Sequence, residues 1–202
     1  MRKFIFVLAS IILIFSVESK AQLGLKIGYN FASQPDKDVT AGYSSKSLNS
    51  FHAGVFFDKD LIPLLDVRVG LDYSPKGFKE ENGDWYNQVK LNYIELPVLA
   101  KVKIGPFYGL GGFYGAYAMN GENKIHAVGS DLTWDVEFDN DEISRWDAGM
   151  KFGAGFQFGL GPVHVFTQAD YSFGLLNVST SDNLNFKNNV FGISAGVLLG
   201  FE

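Results

Sequence analysis

Eight segments of this chain alternate between large apolar side chains and small or polar ones. The cleanest sets Leu65, Val67, Val69, Leu71 and Tyr73 against Asp66, Arg68, Gly70, Asp72 and Ser74. A period of two sends successive side chains to opposite faces of a β-strand, so each segment predicts a strand with one oily face. The other seven are LGLKIGYNFA, SFHAGVFFD, NYIELPVLAKVKI, FYGLGGFYGAYAM, ISRWDAGMKFGAGFQF, VHVFTQADYSFGL and the closing VFGISAGVLLGF. In FYGLGGFYGAYAM, glycine and aromatic residues fall on both faces. There Tyr108, Leu110, Tyr114 and Ala116 are assigned to the oily side.

The connections alternate in length. Long ones fall at 34–47, 78–88, 120–142 and 177–187, and short ones at 58–63, at Gly105-Pro106 and at 159–162. SPKGF at 74–78 reads as a turn that enters a long connection. This is the pattern of an up-and-down meander with its tight turns at one end. Eight antiparallel strands in that order can close into a barrel and abolish their edges.

The faces decide which way the barrel turns. The polar face is crowded with glycine, among them Gly24, Gly54, Gly70, Gly149, Gly192 and Gly196. Small residues fit the narrow interior of an eight-stranded barrel, whereas on a solvated face they would only weaken the strands. The oily face carries almost no charge over each run, and ten tilted residues span roughly 24 Å, close to the apolar band of a membrane barrel. The fold class expected is therefore all-β, an eight-stranded antiparallel up-and-down transmembrane β-barrel. A soluble periplasmic barrel around an apolar ligand is the alternative.

Residues 1–21 are set apart. A basic start (Arg2, Lys3), the apolar run from Phe4 to Phe15, and Ser19 and Ala21 at cleavage spacing read as a signal peptide cut before Gln22. The run is too short for a membrane helix. Residues 22–202 form the barrel domain. With the leader's Arg2, Lys3, Lys20 and Glu18 removed, 17 basic and 22 acidic residues become 14 and 21. An acidic exported chain is a poor partner for nucleic acid. The chain has no Cys, so neither disulfides nor a lipoprotein anchor are available.

The polar face carries charge of both signs: Lys26, Arg68, Lys101, Lys103, Arg145 and Lys151 against Asp66, Asp72, Glu95, Asp147 and Asp170. Unpaired buried charge is costly. Near balance predicts pairing across the lumen, a structural plug rather than an ion path. His52 and His164 fall on the same face and His126 in a connection, but no nucleophile motif accompanies them. No catalytic, cofactor-binding or metal site is expected, and the chain is read as no enzyme. The acidic 120–142 connection lacks the glycine and distal glutamate of a helix-loop-helix calcium site, and its alternation of Leu132, Trp134, Val136 and Phe138 with polar residues reads as a solvated strand pair.

The stretches GLKIGYNFA, LDYSPKGFK, LNYIELPVLAKVKI, PFYGLGG, KFGAGFQF, DYSFGLLNVS and KNNVFGISAGVLLGF resemble the outer-membrane β-barrel family of Bacteroidetes-type bacteria, the PorT-like or porin-family β-barrel proteins. NYIELP followed by Lys101 is the most specific part. The resemblance implies an eight-stranded barrel in the cell outer membrane and carries over no functional site. Such barrels typically end on an aromatic residue, whereas here Glu202 follows Phe201. The partners that follow are outer-membrane lipid and lipopolysaccharide, the barrel-assembly machinery during biogenesis and, through the resemblance, secretion-system components. The role expected is structural, surface-binding or secretion-associated. A narrow porin-like channel for small solutes is a further alternative.

Overall fold

The computed structural model describes residues 21–33, 44–127, 129–138, 143–161, 163–179 and 186–201. Residues 1–20 of the expected leader (1–21), residues 139–142 and Glu202 lie outside the described residues.

Ten strands follow one another: β1 (Ala21–Ser33), β2 (Ser44–Lys46), β3 (Leu48–Ile62), β4 (Leu65–Asn82), β5 (Trp85–Ile104), β6 (Phe107–Ala127), β7 (Ser130–Asp135), β8 (Trp146–Leu160), β9 (Val163–Gly174) and β10 (Asn189–Phe201). Eight of them close a ring in the order β1-β3-β4-β5-β6-β8-β9-β10, every neighbour antiparallel, with β10 returning to β1. The fold is the expected closed eight-stranded barrel. The two short strands stand outside the ring, β2 against β4 and β7 against β6.

The period of two sorts the residues radially. Outward positions from Leu23 to Tyr29, Leu65 to Tyr73, Ile94 to Ile104 and Phe107 to Tyr117 carry no charge. Ile27, Phe113 and Ile104 are 60%, 62% and 72% exposed. A continuous apolar belt of this kind is foreign to a soluble surface and suits lipid. It rules against the soluble barrel, whose oily face would be inside. Aromatic contacts mark the belt's rim toward the long connections: Tyr29 meets Phe51 at 6.3 Å and Tyr117 meets Trp146 at 5.0 Å. Beside them the Tyr73 hydroxyl donates to Asn92 (2.8 Å), and Asn92 donates to Asn120 (2.7 Å), an outward polar row where the belt ends.

Three readings of the strands are corrected. SPKGF is no turn, because β4 runs straight through it and reverses only at Gly83, whose φ is +60°. Pro75 is tolerated because the β3–β4 ladder ends at Ala53 and Tyr73; past that point the Ser50 hydroxyl reaches the Pro75 carbonyl at 3.1 Å. The connection at 78–88 is therefore a strand hairpin. The 120–142 connection likewise begins as strand, and His126 lies on β6 rather than in a loop. Finally, the faces of β6 are reversed. Tyr108, Leu110, Tyr114 and Ala116 are buried in the interior, while Phe107, Phe113 and Tyr117 face out. The two tyrosines go inward because their hydroxyls find polar partners there, which lipid cannot offer.

The two halves of the barrel end at different heights. β8, β9, β10 and β1 stop near the aromatic rim, at Trp146, Gly174, Asn189 and Ser33. β4, β5 and β6 continue past the Asn92–Asn120 row. With β2 on one side and β7 on the other, they make a five-stranded sheet standing clear of the belt. From Trp85 to Asn92, at about 3.4 Å per residue, β5 extends roughly 24 Å along its own axis. A bulge between Asn92 and Tyr93 in the β5–β6 ladder marks the departure point.

Candidate functional site

The interior is filled by ion pairs in two groups. Toward the long connections, Lys76 is wholly buried with its ammonium 2.8 Å from Glu95 and 3.0 Å from Asp147. Lys151 pairs with the other oxygen of Glu95 and lies 3.7 Å from Asp170 and 3.9 Å from Asp72. Lys26 donates to Asp72 at 2.7 Å. These contacts cross the lumen, joining β1, β4, β5, β8 and β9. Asp147 is held further by Asn188 (3.1 Å) and by the Tyr114 hydroxyl (3.4 Å), whose ring lies 4.0 Å from the Lys76 ammonium.

Toward the tight turns, Arg68 grips Asp58 with two donors at 2.6 and 2.8 Å and reaches Gln168 at 2.9 Å. The planar guanidinium suits this fork, and its carbon lies over the Phe56 ring, 3.8 Å from the ring centre. Lys101 donates to Asp58 (2.9 Å) and to Gln157 (2.8 Å). Lys103 pairs with Asp66 at 2.6 Å. Phe56, Leu99, Tyr108, Leu110, Phe166 and Leu198 pack together in the same interior.

The glycines of the lumen face make this filling fit. A Cβ at Gly24 would stand 2.2 Å from the Phe56 ring, and one at Gly54 would stand 1.9 Å from Asp72. Between Lys26, Asn30, His52, Asp72 and Lys151 a void of about 10 Å³ remains. That is room for a single water. Toward the long connections the interior turns apolar, with Leu91, Tyr93, Ala118, Val136 and Phe138 packed together.

Of the residues expected in this network, Lys26, Arg68, Asp72, Glu95, Lys101, Asp147, Lys151 and Asp170 are gathered in the lumen. Arg145 is not. It precedes β8 at the rim, where its guanidinium lies over Phe138 at 4.3 Å and donates to the Ala118 carbonyl at 3.4 Å. Two central members were missed, Lys76 and Asp58. Both share parity with recognised lumen residues on their own strands, Lys76 with Arg68 and Asp72, and Asp58 with His52 and Gly54.

The exterior sheet carries its charges differently. Lys46 and Lys79 both pair with Glu81, the latter at 2.6 Å, and Lys124 pairs with Asp131 at 2.8 Å, all at least partly exposed. Tyr86 stacks on His126 with ring centres 5.0 Å apart, and His126 bonds Asp131. Bonding to His126 first, and to Lys124 next, holds the Asp131 carboxyl below the usual carboxylate range. Lys46 and Lys79 do the same for Glu81. An open cleft of about 450 Å³ separates the sheet's two hairpin tips, between Asp84 and Trp85 on one and Gly129 on the other. Among the described residues no group of His, Asp and Glu is arranged to hold a metal ion.

The family comparison agrees with this architecture. Residues 12–180 match the family model described as the outer membrane protein beta-barrel domain. No curated protein matches the chain. Among solved structures, Ail, the attachment invasion locus protein of Yersinia pestis, is 18% identical over 92% of this chain and all of its own, with a TM-score of 0.45. Neisserial surface protein A is 17% identical over 89% of this chain and 97% of its own, with a TM-score of 0.47. OprG from Pseudomonas aeruginosa is 11% identical over 91% and 96%, also at 0.47. The chain belongs to the outer membrane protein beta-barrel domain family, and it is an eight-stranded barrel of the outer membrane.

Proposed function

We propose that this barrel is a closed, non-conducting and non-enzymatic membrane anchor whose working surface is the exterior sheet. The observation that carries the reading is the filled lumen. Its ion pairs join opposite walls, and the void beside His52 takes no more than one water. A solute path would require the breaking of several buried pairs at once, each costly to separate. The lumen network of Lys26, Arg68, Asp72, Glu95, Lys101, Asp147, Lys151 and Asp170 then has a structural role. It ties the wall together and leaves the polar chemistry available to partners outside the membrane.

In this reading the belt is solvated by outer-membrane lipid and lipopolysaccharide, and the assembly machinery handles the chain during biogenesis. The exterior sheet meets partners at the cell surface, a secretion-system component among the candidates. The test is single-channel recording on purified protein in planar bilayers. Only rare, small and unstable events are expected. Stable, large currents would overturn the closed-anchor reading and favour a narrow porin-like channel.

A further inference from the structure

The two edges of the exterior sheet are finished differently. On one side the sheet ends in β2, only three residues long and carrying Lys46, which stands opposite Lys79 of β4. On the other side β7 ends the sheet, and among the described residues nothing pairs with its outer edge. All six residues of β7 are exposed. Natural edge strands are commonly blunted by lysine, proline or a bulge. The segment SDLTWD has neither lysine nor proline, and its register with β6 runs unbroken from Glu122–Asp135 to Ala127–Ser130.

The backbone groups that this edge offers follow from the ladder. The Val136 N–H donates to the Gly121 carbonyl at 3.0 Å, in register with the β6–β7 pairs. Bonding direction alternates along an antiparallel strand. Trp134 and Leu132 therefore bond inward to β6, and the N–H and C=O groups of Asp131, Thr133 and Asp135 point away from the sheet. The side chains alternate too. Leu132 and Trp134, 65% and 42% exposed, share one face. Asp131, Thr133 and Asp135 share the other. Asp131 pairs with Lys124 and bonds His126. Asp135 stands opposite Glu122, whose other neighbour is Lys90 on β5, so one cation faces two carboxylates and the row keeps a net negative charge.

We propose that the free edge of β7 docks an extended basic peptide segment of a partner protein, which adds to the exterior sheet as a sixth strand. Main-chain bonds to Asp131, Thr133 and Asp135 supply the pairing. Basic side chains of the segment answer the Glu122–Asp135 doublet, and its alternate apolar side chains cover Leu132 and Trp134. This is the strand-addition mode of recognition, with charge setting the choice of partner. It rests on the reading of the exterior sheet as the working surface and deepens it by giving the partner's chemistry.

The test uses the full chain in phosphatidylcholine nanodiscs and a labelled probe peptide, Lys-Val-Lys-Val-Lys-Val-Lys, followed by fluorescence anisotropy. Saturable binding is expected, with none for the peptide in which glutamate replaces lysine. Thr133→Pro removes an outward N–H without touching the β6 ladder and should weaken binding at least roughly tenfold, the scale of one or two lost hydrogen bonds. Heat-modifiable mobility on gels confirms that the variant barrel is folded. Asp135→Lys should exchange the preference between the two peptides.

No binding by the lysine peptide, or equal binding by both peptides, overturns the proposal. Equal binding to the parent and to Thr133→Pro removes β7 as the site while leaving an exterior working surface in place. A dimer that Thr133→Pro splits into monomers gives the edge to a second copy of the chain and also overturns it. Conductance, which bears on the closed-anchor reading, is measured separately and is indifferent to all of these outcomes.

Discussion

β4 carries two lysines three residues apart that live in different worlds. Lys76 points into the barrel, wholly buried between Glu95 and Asp147. Lys79 lies on the exterior sheet, where it pairs with Glu81, both partly exposed. The pairs have similar lengths, 2.8 and 2.6 Å. Distance therefore says little about what each contributes. Burial decides, because a charge stripped of water depends wholly on its partner, while an exposed one falls back on solvent. The barrel is held by contacts it cannot lose singly. The sheet above it is held by contacts that are individually dispensable, as befits a surface that exchanges neighbours.

The sharpest way to break this contrast is to truncate both lysines. Lys76→Ala leaves two carboxylates buried without their shared cation and should cost about 3–5 kcal/mol. Lys79→Ala should cost less than about 1 kcal/mol. Urea unfolding in detergent micelles, followed by heat-modifiable mobility, reads both. Similar losses for the two variants would mean that water reaches Lys76, and the closed lumen would fall with that result.

A smaller effect separates inside from outside at glycine. A Cβ at Gly24 would strike the Phe56 ring at 2.2 Å, whereas one at Gly115, on the lipid face, meets nothing within 4 Å. Gly24→Ala should destabilise by about 1–3 kcal/mol through overpacking. Gly115→Ala should stay within ~0.5 kcal/mol of the parent. The same unfolding assay measures both. A neutral Gly24→Ala would show an interior loose enough to shift Phe56.

Much of this arrangement is legible in the alternation itself. The period of two determines strand, face and closure together, because a one-residue slip would send Arg68 or Asp72 into lipid. Parity alone placed ten lumen charges. It failed where a second signal competed with it. Pro75 and Gly77 flank Lys76 with turn chemistry, and that masked a strand position that is harmless only because the β3–β4 ladder has already ended beside it. In β6, glycines at 109, 111, 112 and 115 blur the two faces, and the choice between them rests on Tyr108 and Tyr114, whose hydroxyls bond Gln168 and Asp147. Those partners lie 60 and 33 residues away in the sequence, so no local pattern announces them. Arg145 has the right parity but sits one residue before β8, past the point where the lumen is closed.

The smallest expected effect lies at the sheet's open edge and depends on pH. Asp131 is held below the usual carboxylate range by His126 and Lys124. A carboxyl whose folded pKa is depressed contributes stability above its unfolded value and loses it as pH falls through the folded one. The β6–β7 ladder should therefore loosen as the pH falls below about 4, the ordinary aspartate value, while the barrel below stays closed. Fluorescence of Trp134 in a Trp85→Phe, Trp146→Phe background would follow the edge, and heat-modifiable mobility would follow the barrel. Asp131→Asn should be loosened already at neutral pH and should show a flatter acid response. A loss of barrel mobility at the same pH would show that the two regions melt as one unit. The exterior sheet would then be an extension of the barrel's own stability, and its free edge would be far less able to open to a partner on its own.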